Sequence, residues 1–281
     1  MIFLSVVVCM SPGREGPLAH CLRQLQAQSH VLFEVLVVDD GSENGRACAA
    51  EFVPALPLRY FWRENDRCVS RSRNLGAANA QGEILVFLDA DVLLNPEGLS
   101  AYAAYLGFRQ QDLLYGYVGY DKTRLAPSLW APETPVNWWD TRYLWQEGRL
   151  LPDPKLFHSA YEFAWAGNFA IYRETYRRLG GFDEDFLGWG GEDLDFAERA
   201  VQAGREVHFL VDAWAEHQHH AQNEPFHTLP ESERGKVYVF RPHPTMPYAV
   251  RCQASPQALV TLNGAIGGHY LPACESLFFN L

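Results

Sequence analysis

The stretch Ser70–Val92, "SRSRNLGAANAQGEILVFLDADV", changes character at its middle. Its first part is rich in small residues. Ser70 stands where a helix N-cap belongs and Gly82 just past the last turn, so it reads as a helix. Its second part, "EILVFLDADV", is a nearly unbroken apolar run closed by two aspartates. A short apolar run with no polar alternation is the pattern of a strand buried on both faces.

The same alternation extends upstream. "IFLSVVVCM" (Ile2–Met10) reads as a strand, and Pro17–Gln28 as a helix with Leu18, Leu22 and Leu25 on one face. "FEVLVVDDGS" (Phe33–Ser42) is a second strand running into a turn. Asn44–Phe52 is a short helix and "LRYFW" (Leu58–Trp62) a third strand. Strands that alternate with helices in this way imply an α/β fold, a mostly parallel sheet flanked by helices on both faces. Such sheets bind ligands beyond the carboxyl ends of their strands. Pro12–Glu15, Asp39, Asp40, Asp89 and Asp91 all fall there.

Downstream the regularity lapses over about 121–160, where Trp130, Trp138, Trp139 and Trp145 lie. These fit core and lid packing better than a carbohydrate platform, although one or two could stack on acceptor sugars. "EFAWAGNFAIYR" (Glu162–Arg173) then reads as a strand and Glu174–Gly180 as a short helix. "FLGWGGEDLDFAERA" (Phe186–Ala200) opens a helix that should bury Leu194, Ala197 and Val201. "EVHFL" and "AWAEHQHH" read as two strands. The expected organisation is one domain over 1–225, in two halves at 1–120 and 121–225. A C-terminal extension covers 226–281.

The 281 residues carry a net charge of −11, which argues against a nucleic-acid binder working by phosphate neutralisation. The apolar start "MIFLSVVVCM" is too short to span a bilayer and has no basic segment before it. No later run reaches eighteen apolar residues. The expectation is a soluble, cytoplasmic protein, with peripheral contact to a membrane left open. The six cysteines form no CxxC pair and are read as reduced thiols. Cys252 and Cys274 are the pair that an oxidising setting would join.

Several groups could carry chemistry. Asp89 and Asp91 are two apart, so on an extended strand they point the same way and can share one hard divalent cation. Asp39 and Asp40 end the second strand, where a carboxylate either accepts from a base N–H or closes an Asx-type turn. Arg71, Arg73 and Asn74 open a helix, a place that favours anions. Glu192, Asp193 and Asp195 crowd behind Gly188, Gly190 and Gly191. Acids there stabilise a helix start. A carboxylate there can also take a proton from a hydroxyl, and crowding raises one member's pKa. Trp189 offers an apolar face for a pyranose. His217 and His219 share a strand face while His220 points away, and imidazole beside carboxylate suits Mn²⁺ better than Mg²⁺. A zinc site from His217, His219 and His227 is a rival arrangement.

The first strand with "SPGREGPLAHCLRQLQAQS", then "EVLVVDDGS", "SRSRNLGAANAQGEILVFLDADV" and "WAGNFAIYRETYRRLGGFDEDFLGWGGEDLDFAERAVQAG" together resemble the family 2 glycosyltransferases. The last block is also similar to chondroitin-polymerase-type, β-1,4-galactosyl and polypeptide N-acetylgalactosaminyl transferases. The resemblance covers roughly residues 1–220. It implies a GT-A (Rossmann-like) fold and an inverting, metal-dependent transfer from a UDP-sugar to a hydroxyl of a glycan or glycoconjugate. It further implies Mn²⁺ (or Mg²⁺) as cofactor. Asp40 matches the uracil-contacting aspartate, with Asp39 beside it, and Pro12 and Arg14 lie in the adjoining donor loop. Arg71, Arg73, Asn74, Asp89, Trp189 and Gly190 fall on the donor side. Asp91 and Asp89 match the metal-binding pair. Asp193 matches the catalytic base, with Glu192 next to it. His217 resembles the histidine that completes the metal site. In relatives a Gln-Glu-Pro run follows that histidine, whereas this chain reads "HQHHAQNEP", so His219 competes for the role. A sugar-1-phosphate nucleotidyltransferase and a non-catalytic glycan-binding module are the alternative readings.

Overall fold

The structure is a computed structural model. It describes residues 2–29, 31–119, 164–188 and 191–218, together with the backbone of two short strands at 143–146 and 149–152. The C-terminal extension at 226–281 lies outside the described residues, as do Trp130, Trp138 and Trp139.

Among the described residues ten strands and six helices follow in the order β1 (Phe3–Met10), α1 (Glu15–Gln26), β2 (Leu32–Asp40), α2 (Gly45–Ala50), β3 (Leu58–Arg63), α3 (Val69–Asn79), β4 (Ile84–Asp89), β5 (Val92–Leu94), α4 (Gly98–Phe108), β6 (Leu113–Gly119), β7 (Tyr143–Gln146), β8 (Arg149–Pro152), β9 (Asn168–Tyr172), α5 (Arg173–Arg178), α6 (Glu192–Gln202) and β10 (Val207–His217). Eight strands form one sheet in the order β3-β2-β1-β4-β9-β6-β10-β5, and β7 pairs with β8 separately.

The first half is parallel, as expected: β1 pairs in parallel with β2 and β4, and β2 with β3. The second half is mixed. β9 runs antiparallel between β4 and β6, and β5 antiparallel beside β10.

Each central strand feeds two cores by period-two alternation. Val7, Cys9, Leu36, Val38, Leu85 and Phe87 point to the face covered by Ala77, Tyr176 and Phe196 of α3, α5 and α6. Leu4, Val6, Val8, Val35, Val37 and Val86 point to the face covered by Leu18, Leu22, Leu99 and Tyr102 of α1 and α4. Strands sandwiched this way have no solvent face, which is why their sequences show no polar alternation.

Four expectations need correction. The strand read as "EILVFLDADV" ends at Asp89, and Ala90 and Asp91 form a turn before the separate strand β5. Asp89 and Asp91 are therefore not two neighbours on one strand face. Ser70 is not the N-cap of α3: Cys68 holds that position and Ser70 is buried inside the first turn. "EVHFL" and "AWAEHQHH" belong to one strand, β10, whose register against β6 shifts between Leu210 and Ala215. In α6 the buried residues are Glu192, Leu194, Phe196, Ala197 and Ala200, while Val201 is exposed. The broader face arises because the helix end that carries Glu192 is also covered.

Candidate functional site

The carboxyl ends of β1, β2 and β4 lie side by side, with Met10 opposite Asp39 and Cys9 opposite Asp89. This end of the sheet collects the acidic groups singled out in the sequence, and the structure gives each a distinct situation.

Asp39 is fully buried and works within the chain. It accepts hydrogen bonds from the Ser42 amide at 2.8 Å and from the hydroxyls of Ser42 and Tyr60. The turn it closes passes so near that a Cβ on Gly45 would fall 2.0 Å from Asp39 Oδ2, so glycine is required there. The next residue, Asp40, pairs with Arg63 on β3. Burial pushes its pKa up to about 6, with Asp66 and Asp39 adding and Arg63 opposing. Arg63 was not singled out in the sequence. The parallel register that sets Asp40 beside it was the signal.

Arg71, Arg73 and Asn74, the residues of α3 singled out in the sequence, divide between its faces. Arg71 is half-buried and pairs with Asp66, and with Glu184 Oε2 at 3.3 Å. Asn74 donates to Phe182 O and Glu184 Oε1, both at 2.9 Å, and accepts from the Phe182 amide at 3.0 Å and the Tyr176 hydroxyl at 2.6 Å. Both residues hold down the segment that leads to α6. Arg73 is buried. Its Nη1 donates to Glu192 Oε1 at 2.7 Å, its Nη2 lies 3.5 Å from Asp89 Oδ1, and its guanidinium sits 5.1 Å from the Phe182 ring centroid. One cation thus joins the end of β4 to the start of α6. Its pKa is held above the usual arginine range by Asp89 and Glu192, against the cost of its burial.

The α6 start is positioned by glycine geometry. Gly188 (φ +87°) bridges to Cys68 and donates its amide to Arg67 O at 2.7 Å. Gly191 (φ +97°) is the N-cap of α6, a left-handed conformation that a side chain would strain. Trp189 and Gly190, between them, lie outside the described residues. Asp193 follows, its Oδ1 accepting from the Leu194 amide at 2.9 Å and its Oδ2 from the Ala166 amide at 3.4 Å. Burial, then the charge of Glu192, pushes its pKa up to about 7, with Arg73 and the two amides opposing. Asp193 and Asp89 flank consecutive residues: a Cβ on Gly167 would stand 3.1 Å from Asp89 Oδ2. Asp195 lies farther round the helix and pairs with Arg199 Nε at 2.8 Å.

The third group forms where β5 folds back on β10, with His217 opposite Val92. His217 Nε2 is 3.7 Å from Asp91 Oδ1, and Arg14 Nε is 3.9 Å from Asp91 Oδ2. Pro12 is exposed in the same loop. Two ligands of one octahedral ion stand about 3 Å apart, so an oxygen and an imidazole nitrogen at this separation fit a divalent ion after a small shift. His219 and His227 lie outside the described residues. Among the described residues, the metal-like group whose ligand atoms all fall within 4.8 Å is a different one, Asp112, Glu206 and His208. It lies where β6 and β10 begin, at the opposite ends of the strands. Four described cysteines, Cys9, Cys21, Cys48 and Cys68, are free thiols. Among the described residues no helix is long and apolar enough to cross a membrane.

Comparison with known proteins bears on this geometry. The model for glycosyl transferase family 2 matches residues 5–175, and that for the N-terminal domain of galactosyltransferase matches 152–222. The chain is 31% identical over 229 residues to validoxylamine A glucosyltransferase of Streptomyces hygroscopicus subsp. jinggangensis, covering 75% of this chain and 54% of that protein. It is 28% identical over 213 residues to the chondroitin synthase of Escherichia coli, covering 66% and 30%. The chain therefore spans about half or less of the length of these curated relatives. In fold it resembles GalNAc-T7, solved with UDP, GalNAc and Mn²⁺, at a TM-score of 0.61 and 20% identity, covering 79% of this chain and 45% of that one. The GT-A-type α/β architecture, the ordered motifs and the match over residues 5–175 lead to one conclusion: the chain belongs to glycosyl transferase family 2.

Proposed function

We propose that this chain is an inverting, metal-dependent glycosyltransferase that moves a hexosyl or N-acetylhexosaminyl group from a UDP-sugar to a hydroxyl of a carbohydrate or glycoconjugate. The observation that carries the reading is the Asp193–Glu192–Arg73–Asp89 arrangement. It sets a carboxylate with a pKa of about 7 next to the strand end that bears the aspartate pair.

Asp193 is the base. As the acceptor oxygen attacks C1 of the sugar, its proton passes to Asp193 Oδ, the new C1–O bond forms, and the C1–O bond to the diphosphate breaks with its electrons. A carboxylate ionising near neutral pH is matched to this task. Glu192, fixed by Arg73, keeps negative charge near the anomeric centre, which gains positive charge in the transition state. Attack from the side opposite the diphosphate inverts the configuration. Asp40 faces the base, and Asp39, Ser42 and Tyr60 hold the turn that presents it. Pro12 and Arg14 line the donor loop. Arg71 and Asn74 act on the donor side through the segment they tether, and Trp189 and Gly190 are assigned to the same side, Trp189 as an apolar face for the pyranose. Asp91 and His217, with Asp89, would hold the divalent ion, which when bound offsets charge on the leaving diphosphate. The imidazole favours Mn²⁺ over Mg²⁺. His219 is the alternative nitrogen ligand. Domain 1–225 carries all of these groups. A cytoplasmic setting completes the reading.

The test is a panel of UDP-sugars assayed for thermal stabilisation and UDP release, with and without Mn²⁺, followed by NMR of the transfer product. One UDP-sugar should stabilise the chain only with the metal and give a β linkage from an α-linked donor. Release of pyrophosphate instead would indicate a nucleotidyltransferase. Binding without turnover to any acceptor class would indicate a glycan-binding module.

A further inference from the structure

We infer that Gln218 is a positioning residue for the metal-holding pole, an inference that rests on the reading of Asp91 and His217 above. Gln218 follows the last residue of β10 and is only 2% exposed. All four of its polar groups are used. Its backbone amide donates to Asp91 O at 2.7 Å, and its backbone carbonyl accepts from His217 Nδ1 at 2.9 Å. Its side-chain Nε2 donates to Pro17 O at 3.0 Å, and its Oε1 accepts from His20 Nδ1 at 2.8 Å. One residue therefore ties the turn after β4, the end of β10 and the start of α1.

The contact with His217 also fixes that ring's chemistry. A carbonyl only accepts, so Nδ1 carries the hydrogen, and in the neutral ring Nε2 then bears the lone pair. Nε2 is the nitrogen facing Asp91 Oδ1 at 3.7 Å. A second polar contact that sets tautomer and ring angle is the usual support of a ligating histidine, and losing such support costs about 10–100-fold in metal affinity. The backbone atoms of Gln218 make the two inner contacts, and its amide side chain holds that backbone against α1. Substituting the side chain therefore loosens both ligands at once without removing either. His20 is exposed and touches only the outer end of the clamp.

The experiment is calorimetric titration of UDP at graded Mn²⁺ on the full chain, with melting temperatures recorded for each protein. For Gln218→Ala the Mn²⁺ concentration giving half-maximal UDP binding should rise about tenfold, while UDP affinity at saturating Mn²⁺ stays near wild type. His20→Ala should shift the midpoint in the same direction by less, and it serves on its own if Gln218→Ala does not fold. An unchanged Mn²⁺ midpoint in the folded variants, with a lowered melting temperature as the sole effect, overturns the assignment and leaves Gln218 a structural clamp. A different failure is equally visible. Wild type that binds UDP without metal, matched by Asp91→Ala, overturns the metal reading itself and this assignment with it.

Discussion

The two ends of the strands in the main sheet each carry an arginine, a cluster of carboxylates and a histidine, yet they differ in kind. At the end where β6 and β10 begin, Arg109, Asp112, Glu206 and His208 form contacts of 3.1–3.8 Å. The Arg109 and Glu206 side chains there are 54% and 64% exposed. Water screens such groups, and pairs of this sort contribute about 0–1 kcal/mol. Where β1, β2 and β4 end, Arg73 and Glu192 are 6% and 7% exposed, and Asp193 beside them is pushed up to about 7. Residue composition does not separate the clusters. Burial does, because desolvation makes each neighbouring charge count. Placement adds to it, because only the second cluster lies where the chain leaves its parallel strands.

The strongest test of this contrast is Asp193→Asn. It keeps the size and removes the proton acceptor, so turnover should fall by about 10²–10⁴ while UDP-sugar affinity stays near wild type. The wild-type rate should rise with pH through about 7, as Asp193 ionises. Stability has the opposite slope. The folded state keeps on Asp193 a proton that the unfolded chain releases near the ordinary 3.8, so the stability this group contributes is lost as pH climbs towards 7. The Asn variant should therefore melt above wild type at pH 8, and this advantage should vanish near the ordinary carboxylate range. A rate with no dependence between pH 6 and 8 would remove Asp193 from the base role.

Next in size is Arg73→Met. Glu192 would then be buried without its counter-charge, and breaking a buried pair costs about 3–5 kcal/mol. Urea unfolding should report a loss of that order, far above anything obtainable at the opposite end. A loss below about 1 kcal/mol would mean that solvent already screens the pair, and the contrast between the ends would collapse.

Asp40→Ala should act on a narrower front. Losing a charged acceptor for a base N–H costs about 1.5–3 kcal/mol, so UDP should bind more than tenfold more weakly while pyrophosphate is unaffected. Equal weakening of both ligands would make Asp40 a support for Arg63 rather than a reader of the base.

Much of this was legible in the sequence, for reasons that also mark the limit. The strands β1, β2 and β4 are buried on both faces, so their apolar runs stand out, and the acids that end β2 and β4 mark the candidate site. The glycines before Glu192 and Asp193 marked the start of α6. What the sequence hid depends on distant partners. Val92–Leu94 is as apolar as β4, so nothing local shows that the chain turns at Ala90 and pairs with β10 instead. α4, "GLSAYAAYLGF", has little contrast between its faces, and the antiparallel seat of β9 between β4 and β6 has no local signature. Arg71 and Arg73 look alike in sequence. Their different faces on α3 make one a surface tether and the other the buried link between the halves.

The smallest expected effect is at the solvent-facing Arg109–Glu206 pair, and it decides whether the comparison holds. Asp112, Glu206 and His208 are close enough to hold an ion, and the type of residue alone would favour them over Asp91 and His217. Arg109 Nη1, however, lies 3.2 Å from Glu206 Oε2 and 3.8 Å from Asp112 Oδ2, so a cation already occupies the same carboxylates. Glu206→Gln removes one exposed charge from that network. Stability should change by less than about 1 kcal/mol, and the Mn²⁺ dependence of UDP binding should match wild type. The paired control is Asp91→Ala, which should lose that dependence. If Glu206→Gln loses it and Asp91→Ala keeps it, the ion belongs to the end where β6 and β10 begin. Burial and strand polarity would then be the wrong guides to the site.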